Sequence, residues 1–115
     1  MAEYTTITEI ERIGTEAASE MVIYDVTTDG SGSGTVTFDG STNSGIANAK
    51  DTFTSVTVFS AQPSQALGTF ADDAVVVIAR ENGTTLNQVD FTDYDSAGNT
   101  SSTATVVRLV IKGIR

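Results

Sequence analysis

The chain has 115 residues, enough for one domain with a single modest core and too few for two. Apolar residues make up 39% and charged residues 18%, as in globular chains, while a net charge of −9, from 15 acidic against 6 basic side chains, repels phosphate backbones and anionic lipid surfaces. Nucleic acid and membrane are therefore not expected partners. The chain has no cysteine and no histidine, which excludes a disulfide framework, thiolate or imidazole metal ligands, and the ordinary base for a serine nucleophile.

About a quarter of the residues are Ser or Thr, and 10 Gly stand against a single Pro, a composition that favours strands joined by tight turns. At the start, MAEYTTITEIERIG places Ile7, Ile10 and Ile13 at a spacing of three, yet residues 4–10 also alternate loosely. Residues 1–13 read as an N-terminal arm or a short strand, with a helical turn as the other reading. On an arm, Tyr4, Ile7, Ile10 and Ile13 are the expected apolar anchors against a neighbouring subunit. The stretch has neither the basic start nor the apolar run of a signal peptide, so the product is expected to stay in the cytoplasm of the cell that makes it.

Residues 20–27, EMVIYDVT, predict a strand with Met21, Ile23 and Asp25 on one side and Val22, Tyr24 and Val26 on the other. After the glycine-serine turn, TVTF (35–38) is expected to return antiparallel to it. Residues 40–51 read as a loop and 52–60, TFTSVTVFS, as a strand. Residues 61–73 carry the one proline and read as a long connection that caps the core through Leu67 and Phe70. The run AVVVIAR (74–80) is continuously apolar, as expected of a central strand covered on both faces. Asn82-Gly83 then signals a hairpin into TTLNQVDF (84–91). The final segment places Val107, Leu109 and Ile111 on one face of a buried strand. Six to eight short strands at even spacing predict an all-β fold, a single small antiparallel β-sandwich or jelly-roll-like barrel over 14–115.

Two loops carry the candidate chemistry. In DGSGSGTVTFDG the glycines lead into a strand and no lysine follows, so a phosphate-binding loop is excluded, and an EF-hand count from Asp29 puts Gly40 where a bidentate Glu is needed. A flexible hairpin loop is the expectation. In DFTDYDSAGN, the oxygen donors Asp90, Asp93, Asp95 and Asn99 are the weak calcium candidates, although a count from Asp93 puts Ala97 and Ala104 at ligand positions. No cofactor is expected, and no enzyme, because the usual acid–base residues are missing. There is no Trp for a sugar platform, and of Tyr4, Tyr24 and Tyr94 only Tyr94 is expected to be exposed. Asn82-Gly83-Thr84 and Asn99-Thr100-Ser101 match the glycosylation pattern, which has no use without secretion.

With the arm MAEYTTITEIERIG, the strands EMVIYDV, SVTVF, AVVVIAR and TVVRLVI, the Ser/Thr/Gly-rich turns and no cysteine, the chain resembles the small capsid decoration, or cement, proteins of tailed bacteriophages. The resemblance spans the whole chain as architecture and rests on no residue motif. It implies a structural virion protein that is made in the host cytoplasm and sits on the capsid exterior. There such proteins often form a symmetric homo-oligomer over contacts between major capsid proteins and stabilise the shell. Two other readings stand beside it: a tail tube or connector subunit with an acidic lumen, and a carbohydrate- or receptor-binding module that uses the loops 29–34 and 90–99.

Overall fold

The computed structural model describes residues 2–14, 18–40, 45–64 and 74–115. In chain order its strands are β1 (Thr6–Ile13), β2 (Ser19–Thr27), β3 (Ser33–Thr37), β4 (Ser55–Pro63), β5 (Val76–Glu81), β6 (Gln88–Tyr94) and β7 (Val106–Ile114), with a short 3-10 turn at Ala49–Asp51. No α-helix occurs among the described residues. One sheet has the order β1-β2-β7-β4 and the other β3-β6-β5, every strand pair antiparallel. The protein is a small antiparallel β-sandwich.

Alternation of side chains along each strand builds the core between the sheets. In the four-stranded sheet, Val22, Tyr24 and Val26 of β2 stand opposite Ile111, Leu109 and Val107 of β7, and all six are fully buried. In the three-stranded sheet, Val89 and Phe91 of the central β6 and Val36 of β3 meet them. Aromatic rings fill the rest: Phe38 lies 5.5 Å from Tyr24 and 5.9 Å from Phe53, and Tyr4 meets Phe91 edge-on at 5.5 Å. Burying each such side chain contributes about 1.5–3 kcal/mol. These residues carry the fold's stability.

The N-terminal segment is a strand and not an arm. Tyr4 N–H donates to the Thr35 carbonyl at 2.8 Å and Thr35 N–H to the Ala2 carbonyl at 2.9 Å, so residues 2–4 run alongside β3. From Thr6 the chain pairs with β2 instead, so that it belongs to both sheets in turn and closes one edge of the sandwich. Tyr4 and Ile7 are 1% and 4% exposed and belong to the core of their own domain, which removes them as anchors for a neighbour. The ambiguous spacing has a physical cause. A β-bulge between Glu9 and Glu11 slips the two-residue phase, so Ile7 faces inward while Ile13, opposite Met21, faces out.

Three other expectations change. TVTF does not return on β2: β3 crosses to the second sheet and pairs with β6. The apolar run 74–80 is no central strand; β5 is an edge strand, with Val76 53% and Ile78 41% exposed, and its Val/Ile content reflects strand propensity more than burial. The β5–β6 hairpin forms, but β6 begins only at Gln88, and Gly83 is not among the glycines with positive φ that a two-residue turn requires. Asn82 Oδ1 instead accepts from the Thr84 and Thr85 N–H groups at 2.9 and 2.8 Å, which holds a wider loop. Leu67 and Phe70 lie outside the described residues.

Candidate functional site

The fold brings the two loops singled out in the sequence together at one end of the sandwich. Asp93 N–H donates to the Gly32 carbonyl at 3.0 Å. Gly30 and Gly32 have φ of 80° and 85°, and a Cβ on Gly32 would lie 2.6 Å from Thr100 Cβ, so only glycine lets the 28–34 loop lie this close to its neighbour. Asp29 Oδ1 accepts from Ser31 N–H at 3.0 Å and Ser31 Oγ at 2.6 Å; these bonds hold its carboxyl below the ordinary aspartate range.

Asp93 faces inward beside Val89 and Phe91 on β6 and is fully buried, and neither carboxylate oxygen has a hydrogen-bond partner. Burial pushes its carboxyl above the ordinary range, only partly offset by the dipole of its own backbone N–H, and the charge of Asp29 adds to the shift. Tyr4 Oη is buried without a partner as well. Its phenol is raised first by burial and then by the charges of Asp93 and Asp29.

The other calcium candidates do not join them. Alternation turns Asp90 to the opposite face of β6, where its carboxylate accepts from Asn82 Nδ2 at 2.9 Å and Gln88 Nε2 at 2.8 Å. Asp95 Oδ1 accepts from the Ala97 and Asn99 N–H groups at 2.9 and 3.0 Å, and the Asn99 carbonyl accepts from Asp95 N–H, an ordinary surface turn. Asp90, Asp93, Asp95 and Asn99 therefore form no common site. Among the described residues no three acidic side chains converge as a metal cluster.

An ionic network at the opposite end of β2 was not foreseen from sequence. Arg12, on the inward side of the bulged β1, donates to Glu9 and Glu20 at 2.8 Å and to buried Asp51. Asp51 also accepts from Tyr24 Oη at 2.6 Å and from Asn48 Nδ2 at 2.9 Å, and Asn48 caps the 3-10 turn by accepting from Asp51 N–H. Although burial works against the charge, the hydrogen bonds it donates to Glu20, Glu9 and Asp51 keep the Arg12 guanidinium strongly protonated. Burial likewise opposes the charge on Glu20, yet bonds from Arg12 and Arg115 hold its carboxyl below the usual range. The Asn48-x-x-Asp51 spacing of a capped turn was the available signal. Both terminal guanidinium nitrogens of Arg12 are engaged within the chain while its buried Nε has no partner among the described residues, and the network fastens β1, β2 and the C-terminus.

The outer face of the four-stranded sheet is different. Its register sets Ile13, Met21, Lys112 and Thr57 in one row and Glu11, Ile23, Val110 and Ser60 in the next. Phe59 falls at a bulge in β4 and is 53% exposed, alongside Ile13 at 51%. An open groove of about 550 Å³ runs between Ile13, Met21, Phe59, Glu20 and Lys112. Ile10, at the β1 bulge, is also exposed. Of the expected anchors, then, Ile10 and Ile13 lie at the surface while Tyr4 and Ile7 do not. No family model, no curated protein and no solved structure matches the chain.

Proposed function

We propose that this protein is a structural subunit that acts by docking the outer face of its four-stranded sheet on another protein, and that in its most specific form it is a capsid decoration subunit of a tailed bacteriophage. One observation carries the reading: Ile13, Met21 and Phe59 stand exposed around a groove on a rigid pleated surface. Two of the six basic residues, Arg108 and Lys112, project from the same face, where Arg108 holds Asp25 through two hydrogen bonds of 3.0 and 3.1 Å. This face is thus much less negative than the chain's net charge of −9 implies, and it suits a neutral to acidic shell protein as occupant. A chain without histidine or cysteine fits a role in packing better than one in turnover.

The test is to add purified chain to emptied phage heads that lack it and to follow sedimentation and the temperature at which the heads break. Co-sedimentation with a raised disruption temperature supports decoration. A chain that stays in the supernatant, forms rings on its own, or binds instead to a glycan array overturns it in favour of no shell contact, a tail tube, or a receptor-binding module respectively.

A further inference from the structure

We propose that Asp93, Asp29 and Tyr4 Oη form a binding site for a hard divalent cation of the calcium class, clasped between the 28–34 loop and the 95–105 loop. This inference is independent of the docking surface.

The argument starts from Asp93. A fully buried carboxylate is expensive unless a cation or hydrogen bonds compensate it, and Asp93 has neither among the described residues: both oxygens lack a partner and no ion pair reaches it. Among the described residues, the charge that raises it further is a second carboxylate, Asp29. Protonation alone does not resolve the arrangement, because the resulting O–H and C=O would still need partners, as would the Tyr4 hydroxyl. A bound cation satisfies all of these groups together.

The donors name the class of cation. They are all oxygens, with no sulfur or imidazole, which selects a hard ion, and two carboxylates balance a double charge. The remaining ligands would come from carbonyls of the two loops and from water. Irregular loops of this kind accommodate calcium's flexible coordination better than magnesium's strict octahedron. Gly30 and Gly32 have a function in this site, since they let backbone carbonyls approach where side chains would intrude. The EF-hand count fails on either segment alone because the two carboxylates come from different segments, a loop and strand β6, joined by the Asp93 N–H to Gly32 carbonyl bond.

The experiment uses the full chain stripped with EDTA and titrated with calcium chloride while thermal unfolding is followed. At a hundredfold excess over the dissociation constant the midpoint should rise by roughly 10 °C. Asp93→Asn should abolish the rise and Asp29→Asn reduce it. Absence of a calcium-dependent shift in the wild type overturns the site, and so does an equal shift in Asp93→Asn. Terbium luminescence excited through tyrosine gives a second readout that does not depend on the Asp93 variant folding. Wild-type emission that falls severalfold in Tyr4→Phe supports the site, whereas emission that Tyr4→Phe leaves unchanged, or that never appears, contradicts it.

Discussion

Gly34 of β3 lies directly beneath the ring of Tyr4, so close that a Cβ there would overlap the ring carbons. The contact joins the first residues of the chain to the three-stranded sheet, and the edge-on meeting of Tyr4 with Phe91 extends it into the core. Gly34→Ala should therefore destabilise by about 1–3 kcal/mol through overpacking, and Tyr4→Ala by about 3–5 kcal/mol, both measured by urea unfolding. Removal of residues 2–13 should leave no cooperatively folded domain, since it takes away Tyr4, Ile7 and the whole of β1.

Asp51 is buried and receives Arg12, Tyr24 and Asn48 together. Asp51→Ala strands a guanidinium and a phenol that were built to meet it, at an expected cost of about 3–5 kcal/mol. A double-mutant cycle with Tyr24→Phe should give a coupling of about 0.5–3 kcal/mol, because the two share one hydrogen bond.

Two carboxylates should give stability opposite dependences on pH. Glu20 is held below the usual glutamate range in the folded state, so its contribution is complete above the unfolded value and is lost as pH falls through the folded one. Asp93 in metal-free protein is raised. Over the interval just above the ordinary aspartate range the folded state binds more protons than the unfolded state, so stability declines as pH rises there. Unfolding curves from pH 3 to 7 should show Asp93→Asn more stable than wild type at the neutral end, with the decline removed, and Glu20→Gln with a shallower loss on the acid side.

Strand positions and faces were legible wherever a single two-residue period ran unbroken. The two faces of β2 and the inward Val107, Leu109 and Ile111 of β7 follow directly from alternation. Legibility failed at the bulges: at Ile10 and at Phe59 the phase slips, so neighbours of one type go to different sides. The exposure of β5 is not legible because composition does not tell an edge strand from a central one, and the pairing of β3 is not legible because the glycine turn allows a crossing as readily as a hairpin. Asp29 and Asp93 each stand out in their own segment of the sequence, but bringing those segments together depends on that crossing and has no local signature. The Arg12 network likewise joins β1, β2, the 3-10 turn and the C-terminus, segments far apart in the chain.

The docking face allows a separation of binding from stability. Phe59 and Ile13 are more than half exposed, so Ile13→Asp with Phe59→Asp should change folding stability by no more than about 0.5 kcal/mol per site. Buried apolar anchors of this size carry a large share of interface energy, and the same pair should weaken docking at least tenfold. Co-sedimentation of wild type and the double variant with emptied phage heads tests this most directly. The account predicts that the wild type pellets with the heads and the folded double variant does not. A double variant that pellets equally well, or a wild type that never pellets, contradicts it.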